Sequence, residues 1–280
     1  MNFGIITVFY YPSDEDVNHY LKIATTFKYA SCFLNSDLKE KQKVSLNQKR
    51  IITFGDGKNI GLSKAYNLQF KAMIDKQIDF IFVTDQDSRF KKSTLNQLIK
   101  YAENNYKKRE KIGIFCLNPL IDNKKVIYEN KYNIEQKDFI INSGSLVNKE
   151  AWIDVKGYDS NLFIDAIDYD FCKRIKESNW KILKLNNLNF SHSLGKRKNI
   201  FWGLFNYSSY NQIRHFNIMQ SRLYLYKKYN NNKYSVYKSF KLLILFFKIL
   251  KHYGIVIFLE PNKIKIIKSL NQLIKNYFFK

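Results

Sequence analysis

The chain has 280 residues, enough for one large domain or for a core domain with an appendage. Its 45% apolar and 16% aromatic residues, with only 3 Pro and 10 Gly, are typical of a globular protein. The 3 Cys lie far apart, which excludes a disulfide framework or a zinc knuckle and predicts a reducing compartment. The first residues lack a basic segment followed by a long apolar core, so no signal peptide is expected.

The net charge of +23 is unevenly distributed along the chain. Residues 221–280 contain 13 Lys and Arg against a single acid, Glu260, so +12 lies in this segment. Such a charge predicts a polyanionic partner, although a Lys- and Asn-rich vocabulary also follows from biased coding. Nucleic acid is the less favoured partner, because no recognised nucleic-acid motif is present.

The first half of the chain alternates apolar strands with helical segments. Strands are predicted at 3–9, 30–34, 50–54, 80–84 and 112–117, and helices at 14–27, 62–76 and 95–106. This βαβ alternation predicts a parallel sheet of the nucleotide-binding type. Asn59 and the following residues open one of these helices after a glycine-containing loop, and helix N-termini attract phosphate. Simple helix entry explains the same pattern.

The second half changes character. A strand is predicted at 139–147, a short helix at 149–155, a helix up to about residue 178 and a strand at 181–185. Within the first of these strands, the small residues Ser143 and Gly144 permit the close approach of a ligand or of another backbone.

The C-terminal segment predicts two amphipathic helices separated by Pro261. In 238–252 the basic residues, His252 among them, fall on one arc of a helical wheel, and 265–278 repeats the pattern. These helices are not expected to span a bilayer, because each Lys would cost about 2.5–3.5 kcal/mol at its centre. They fit an anionic lipid surface, but a helical pair packed on the core with a solvated basic face is an open alternative.

Two carboxylates, Asp85 and Asp87, directly follow the most apolar strand. Alternate residues of an extended segment point the same way, so both side chains can converge on one ligand. In open α/β sheets this is the end at which ligands bind. Mg²⁺ prefers one or two carboxylates together with phosphate oxygens, which predicts a metal–phosphate site. A solvated turn is the alternative.

A second acidic group contains Asp165, Asp168 and Asp170. If a helix begins near Asp168, Asp165 precedes it and Asp168 lies in its first turn, where the helix dipole lowers the pKa of a carboxylate. An ionised carboxylate beside a metal–phosphate site can act as a general base for an incoming hydroxyl. His192 follows a predicted strand, and imidazole with carboxylates suits Mn²⁺ better than Mg²⁺. Alone, acids at a helix start and a lone His are more often structural.

Taken together, the motifs resemble a known family. In chain order they are Asn59-x-Gly61 with Asn67, Asp85-Gln-Asp87-Ser88, Asn142-Ser-Gly-Ser145, Gly157-Tyr-Asp159, Leu162-Phe-Ile-Asp165, Asp168-x-Asp170, Cys172-x-Arg174 and His192-x-x-Gly195. They resemble the family 2 glycosyltransferases, and most of all the bacterial rhamnosyltransferase-like branch, over roughly Phe3 to Tyr229. The resemblance implies an α/β GT-A fold for residues 1–220: a Rossmann-like, mostly parallel sheet flanked by helices. Residues 221–280 then form the basic helical tail.

The resemblance also implies a donor site. A divalent cation, Mn²⁺ or Mg²⁺, would be held by Asp85, Asp87 and His192 and would bind the donor diphosphate. The residues implied to contact the donor nucleotide are Tyr10, Asn35, Asn59 and Asp85. The chain departs from the family pattern after its first strand, with Phe9-Tyr-Tyr-Pro12, and after its second, where the usual acid is missing beside Asn35. Both segments normally touch the nucleotide base, so the base and the donor sugar stay open.

On the acceptor side, Asp168 occupies the position of the catalytic base, and Asp165 is implied to assist it by positioning the acceptor. Ser143, Gly144 and Asp170 are further acceptor-binding candidates. The sequence therefore predicts an inverting, metal-dependent glycosyltransferase of bacterial surface polysaccharide synthesis. Its acceptor is expected to be a lipid-linked or lipopolysaccharide-type saccharide at the inner face of the cytoplasmic membrane. A rhamnosyltransferase and another hexosyl- or galactosyltransferase both fit, and a nucleotidyltransferase or nucleotide-sugar hydrolase is the rival enzyme.

Overall fold

The structure is a computed structural model that describes residues 1–120, 133–192, 197–200, 205–208, 210–230 and 235–278. Glycine 195 of the last motif lies outside these residues. The chain forms two compact units. The larger unit, which we call the catalytic unit after the function predicted from the sequence, comprises Met1–Phe163 and Ile167–Ser193. The helical unit comprises Ile164–Ala166 and Leu194–Lys280.

One sheet of eight strands forms the centre of the catalytic unit. Its strands, in chain order, are β1 (Phe3–Phe9), β2 (Tyr29–Leu34), β3 (Ile51–Phe54), β4 (Phe80–Asp85), β5 (Ile112–Leu120), β6 (Ile134–Gln136), β7 (Ser145–Asn148) and β8 (Lys181–Ser191). Across the sheet they are ordered β3-β2-β1-β4-β7-β5-β8-β6. The mixed α/β fold with a mostly parallel sheet confirms the prediction.

Six helices belong to the catalytic unit in the part of the chain that the structure describes. They are α1 (Asp14–Ala24), α2 (Glu40–Leu46), α3 (Leu62–Asp75), α4 (Lys92–Asn105), α5 (Lys149–Asp154) and α6 (Ile167–Glu177), with one 3₁₀ turn at Lys108–Glu110. Their apolar faces pack on the sheet, as in α4, where Leu95, Leu98 and Ala102 are buried at helical spacing.

The parallel strands bring their carboxyl ends to one edge of the sheet. β1 pairs in parallel with β2 on one side and with β4 on the other, in unbroken register. The first five residues of β4, Phe80 to Thr84, are buried, as expected for a strand covered on both faces, and only Asp85 emerges. The carboxyl end of β4 is therefore where polar side chains become available to a ligand.

The sheet differs from the sequence prediction in its middle. Of the strand predicted at 139–147, only residues 145–147 belong to a strand. This strand, β7, continues to Asn148 and runs antiparallel between β4 and β5. Gly144 precedes β7 with a φ of 85°, in the left-handed region, and a Cβ there would lie 2.6 Å from the Phe190 ring. The small residues thus accommodate a sharp entry into β7 and a close aromatic ring.

The helical unit is described by itself. It holds a hairpin of β9 (Arg197–Ile200) and β10 (Phe205–Ser208), followed by α7 (Gln212–Tyr229), α8 (Ser235–Leu259) and α9 (Lys263–Phe278). Residues from all three helices form its core: Met219, Leu223, Leu245, Val256, Ile266 and Leu270. The two tail helices appear on either side of Pro261, whereas sequence reasoning missed α7, which runs across the expected domain boundary at residue 220.

Candidate active site

The chain leaves β4 through Asp85, Gln86 and Asp87. Asp85 ends the strand and is partly buried, whereas Asp87 is exposed. Gln86 bridges back to the first strand: its Oε1 accepts from the Tyr10 backbone N–H at 2.8 Å, and its Nε2 donates to the Tyr10 carbonyl at 3.1 Å. These two bonds fix the backbone between the two acids against the end of β1.

His192, 104 residues after Ser88, reaches the same edge because β8 is longer than predicted. β8 continues to Ser191 and pairs in parallel with the end of β5. Ser191 also forms a two-way backbone bridge with Arg89, with N···O distances of 2.9 and 3.1 Å. This bridge ties the segment after Asp87 to the residue before His192, and so places the histidine beside the acids.

Asp85, Asp87 and His192 each offer a ligand atom, and these atoms lie within 4.8 Å of one another. Burial and the neighbouring Asp87 carboxylate raise the pKa of Asp85 to about 6, while His192 and the Tyr66 hydroxyl, 3.2 Å from Asp85 Oδ1, oppose the rise. Two close carboxylates and an imidazole fit a divalent cation, which would relieve their repulsion. The sequence prediction that these three side chains converge is therefore correct.

Two serines lie behind this cluster. Ser88 Oγ is 2.9 Å from His192 Nδ1 and 2.7 Å from Ser143 Oγ, and Ser143 Oγ accepts from the Asp85 backbone N–H at 3.1 Å. Both serines are buried. Ser143 was predicted to bind the acceptor. Its hydroxyl contacts the backbone of Asp85 and the side chain of Ser88, and an acceptor contact stays a prediction.

Asp168 lies in the first turn of α6, as expected, and Asp165 precedes the helix. Between them Ala166 has a φ of 63°, a conformation that costs a non-glycine residue about 1–3 kcal/mol and clusters at functional sites. The expectation for the Asp168 pKa was wrong. Burial raises it, because loss of hydration outweighs the backbone N–H bonds that Asp168 accepts.

Asp165 and Asp170 have partners that the sequence did not reveal. Asp165 belongs to the helical unit, where its Oδ1 accepts from Arg214 Nη2 at 3.0 Å. Asp170 is fully buried and paired with Arg174 at 2.8 Å, and Arg174 Nη1 also donates to the Gly157 carbonyl. These contacts give Asp170 and the Arg174 of its motif a structural role in anchoring the loop after α5. Acceptor binding by either acid stays a prediction.

The residues predicted to contact the donor nucleotide surround the loop before α3. Asn35 Oδ1 accepts from the Ile60 N–H at 3.1 Å, and Asn59 Oδ1 accepts from the Gly61 N–H at 3.0 Å. Gly61 then has a φ of 86°, and a Cβ there would lie 2.7 Å from the Phe163 ring. Tyr10 is 49% exposed, and its ring packs edge-to-face on that of Tyr11 with 4.7 Å between the ring centroids. Contact with a nucleotide stays a prediction for all of them.

Comparison with known proteins shows which fold the chain has. No family model matches the chain. The chain is 23% identical over 289 residues to the dTDP-rhamnosyl transferase RfbF of Shigella flexneri. The match covers 96% of this chain and 92% of the relative. The structure of the present chain resembles the crystal structure of S. aureus TarS 1–349 in complex with UDP-GlcNAc, with a TM-score of 0.57 and 13% identity. The likeness covers 98% of this chain and 81% of the TarS chain. The chain has the GT-A fold of these glycosyltransferases.

A further solved structure with this fold contains a metal ion. GalNAc-T7, solved with UDP, GalNAc and Mn²⁺, matches with a TM-score of 0.54 and 9% identity over 83% of this chain and 52% of that protein. At such identity the likeness concerns the fold. The observation in this chain that fits a divalent cation is the cluster of Asp85, Asp87 and His192 itself.

Sequence reasoning missed three residues whose side chains contact the candidate site of this chain. Tyr66 bonds Asp85, Gln86 holds Tyr10, and Ser88 bonds His192. Gln86 and Ser88 stand within the Asp85-Gln-Asp87-Ser88 run, so their place in the motif was the available signal. Tyr66 gave no signal of its own, because a tyrosine in an amphipathic helix is usually a core residue.

Proposed function

We propose that this glycosyltransferase moves a sugar, with inversion, from a nucleoside diphosphate donor to a saccharide acceptor. The acceptor hydroxyl oxygen forms a bond to the anomeric carbon, and the bond from that carbon to the diphosphate breaks. Asp168 takes the hydroxyl proton, acting as the general base. Asp165, three residues earlier in the chain, is proposed to position the acceptor.

Asp85, Asp87 and His192 would hold the cation, Mn²⁺ or Mg²⁺. When bound, the cation neutralises charge that develops on the departing diphosphate. Tyr66 keeps Asp85 in place through its hydroxyl, and Gln86 fixes the backbone of Tyr10, whose exposed ring is proposed to stack on the nucleotide base. The three-residue cluster at the end of β4 is the single observation that carries this proposal.

The donor is proposed to be a dTDP-activated deoxyhexose such as dTDP-rhamnose, because the curated relative is a dTDP-rhamnosyl transferase over nearly the whole chain. The test is a thermal-shift panel of dTDP, UDP and GDP with and without Mn²⁺, followed by transfer assays with dTDP-rhamnose and bacterial glycolipid fractions. A ligand at one hundred times its Kd adds about 2.7 kcal/mol to the folded state. A preference for UDP or GDP would overturn the dTDP assignment, but leave sugar transfer in place.

Product analysis separates transfer from the rival reactions. The wild type should yield a glycosylated acceptor and free nucleoside diphosphate, and Asp168→Asn should yield neither at a measurable rate. Release of free sugar in the absence of any acceptor, at the same rate as in its presence, would show a hydrolase instead. Asp154→Asn is the matched control, because that acid lies at the end of α5 and bonds Trp180 rather than the metal cluster.

We also propose that the helical unit binds an anionic membrane at the cytoplasmic face. The outward arc of α8 is apolar, with exposed Leu242, Leu243, Phe246, Phe247, Leu250 and Phe258, while Lys248 and Lys251 flank it. Each basic residue near an anionic surface contributes about 1 kcal/mol. Apolar area and basic charge on one helix are the combination that interfacial helices use, and a lipid-linked or lipopolysaccharide-type acceptor would then lie within the same surface.

α8 is also the one described helix long and apolar enough to cross a membrane, over Lys241–Leu259. Two observations favour a surface position for it. Leu245 and Val256 belong to the core of the helical unit, and His252 is buried and hydrogen-bonded to His215 and Arg222 of α7. This differs from the sequence expectation for His252, which placed it on the basic arc. A helix with one face so engaged presents only its other face to lipid.

Vesicle flotation tests the membrane proposal. The protein should bind phosphatidylglycerol-containing vesicles, bind pure phosphatidylcholine vesicles far less, and dissociate as salt is raised. Phe246→Ser combined with Phe247→Ser should weaken binding at any salt, whereas Ile134→Ser, an exposed apolar residue of the catalytic unit, should not. Equal binding to both vesicle types, or none, would overturn the proposal. Resistance to alkaline carbonate extraction would show a spanning helix.

A further inference from the structure

The hydroxyls of Ser88 and Ser143 form a continuous path between two of the three groups proposed to hold the cation. The path runs from His192 Nδ1 to Ser88 Oγ (2.9 Å), to Ser143 Oγ (2.7 Å), and to the Asp85 backbone nitrogen (3.1 Å). Ser88 is 1% exposed and Ser143 2% exposed, so water does not compete for these bonds. A buried hydroxyl must find its partners within the protein, so Ser88 and Ser143 depend on this path for their hydrogen bonds.

The directions of these bonds depend on the state of His192. The Asp85 N–H can only donate, so Ser143 Oγ accepts at that end in every case. A neutral imidazole carries one ring proton, on either Nδ1 or Nε2. With the proton on Nε2, Ser143 donates to Ser88 and Ser88 donates to Nδ1. With the proton on Nδ1, the ring donates to Ser88, and Ser88 donates to the second lone pair of Ser143.

Only the second arrangement leaves Nε2 with a lone pair. Nδ1 is occupied by Ser88, and Nε2 has no hydrogen bond to any residue that the structure describes, so Nε2 is the nitrogen available to a cation. In this arrangement Ser88 accepts from Nδ1, and Ser143 accepts both from the Asp85 N–H and from Ser88, so every N–H of the path is satisfied. The Ser143 O–H is then the one donor of the path without a bond to another member of it.

We propose that Ser88 is a positioning residue that fixes His192 as the Nδ1-protonated tautomer when a divalent cation is bound, with Ser143 relaying the same constraint to the backbone of Asp85. This rests on the proposed function, since it takes the cluster of Asp85, Asp87 and His192 to be a cation site. Partners behind a metal-bound histidine orient its ring and set its tautomer, and their loss costs about 10–100-fold in metal affinity.

The Mn²⁺ affinity of the whole chain, measured by electron paramagnetic resonance of free Mn²⁺ without donor or acceptor, tests the proposal. Ser88→Ala should weaken Mn²⁺ binding about 10–100-fold, and Ser143→Ala should weaken it by a smaller factor. Ser145→Ala is the matched control: Ser145 is equally buried and two residues from Ser143, but its hydroxyl donates to the Ile141 carbonyl. Its Mn²⁺ affinity should equal that of the wild type.

The tautomer gives a second readout that needs no variant. In ¹⁵N-histidine-labelled wild type saturated with Mg²⁺, a two-bond ¹⁵N–¹H correlation spectrum should show His192 protonated on Nδ1, assigned by its absence from His192→Gln. Protonation on Nε2 in this state would overturn the proposal even if Ser88→Ala failed to fold.

The outcomes separate this proposal from the proposed function. If Asp87→Asn abolishes Mn²⁺ binding but Ser88→Ala binds within about twofold of the wild type, the cation site stands and the role of Ser88 is overturned. If the wild type binds no Mn²⁺ in a manner that depends on Asp87, the cation site fails and the inference fails with it.

Discussion

Two polar clusters in this protein both combine histidine with carboxylates but differ in how their charges are matched. The metal cluster, Asp85, Asp87 and His192, lies at the carboxyl end of β4 in the catalytic unit. The second is a buried chain within the helical unit, which we call the relay: Arg222, His252, His215 and Glu260.

The relay satisfies itself. Arg222 can only donate, so its Nη1–H bonds His252 Nδ1 at 3.2 Å. His252 then carries its proton on Nε2 and donates to His215 Nδ1 at 3.1 Å, and His215 donates from Nε2 to Glu260 Oε1 at 3.2 Å. Each ring has one donor and one acceptor, both used, between a cation and a carboxylate. Because His215 uses its two nitrogens on opposite sides, no single ion could contact all of its partners.

The metal cluster is incomplete by the same accounting. Asp87 and burial raise the pKa of Asp85 to about 6, which shows that the site disfavours its own negative charge. No described Lys or Arg forms an ion pair with Asp85 or Asp87. Carboxylates that lie this close without a positive partner fit a bound cation, whereas removing one member of a buried, balanced network leaves its partner unpaired. The comparison thus contrasts a cluster whose charges are unbalanced among the described residues with a network that balances its own.

Asp87→Asn should give the largest effect. Loss of a cation ligand should lower sugar transfer by at least about 10³-fold, because metal stabilisation of a leaving group contributes several kcal/mol. The free energy of unfolding should stay the same or rise, because a like charge beside Asp85 is removed. Asp75→Asn, at the exposed end of α3, is the control and should transfer sugar normally. An active Asp87→Asn would remove the contrast between the two clusters.

His215→Ala should have the opposite signature. It leaves Glu260 and His252 buried without the ring that joins them, and breaking a buried ionic network costs about 3–5 kcal/mol. Urea denaturation should show this loss, while Mn²⁺ affinity stays at its wild-type value. The control Ser269→Ala, which removes a partly exposed hydroxyl bond in α9, should stay within about 0.5 kcal/mol of the wild type. Wild-type stability in His215→Ala would show that the relay contributes nothing to folding.

Adding Mn²⁺ should complete the metal cluster. At one hundred times its Kd the cation should add about 2.7 kcal/mol to the free energy of unfolding. Asp87→Asn should show no such gain, and His215→Ala should show it in full, in calorimetric scans with and without a chelator. An equal gain in Asp87→Asn would mean that Mn²⁺ binds elsewhere.

Acidification should act on the relay, and only below about pH 6.5. Burial and the nearby Arg222 and His215 lower the pKa of His252 from 6.5 to about 4. Between these values the unfolded chain binds a proton at this position that the folded chain does not, so stability is present above about pH 6.5 and falls as the pH drops toward 4. His252→Gln should lose this part of the pH dependence of urea unfolding. An unchanged pH profile in that variant would place the titration elsewhere.

Local pattern was sufficient for much of the catalytic unit. The apolar run Phe80 to Thr84 predicted a central strand, and the spacing of Asp85 and Asp87 predicted two carboxylates facing one ligand. Both predictions depend on neighbours in sequence, since strand periodicity and the strand end are local properties. The amphipathic tail was readable for the same reason, and α8 and α9 appear where the helical periodicity placed them.

Where local pattern was weak, the prediction failed. α2 lies in a short polar stretch, and α7 distributes its apolar residues too evenly to define a face. The inward position of His252 could not be predicted either. A helical wheel groups the residues of one helix by polarity, and it cannot show that Arg222 and His215 lie on a neighbouring helix within hydrogen-bond distance of His252.

The sequence by itself determined the class of the sheet, the strand that ends in Asp85 and Asp87, and the carboxylates and imidazole that the proposed cation site would use. Tertiary structure alone decided that β8 runs on to Ser191, bridges Arg89 and delivers His192 to those acids. It also decided that Ser88 and Ser143 meet behind the histidine, and that Asp170 turns inward to Arg174. The physical reason is that strand pairing between distant segments sets these distances, and no periodicity within either segment encodes which partner it will meet.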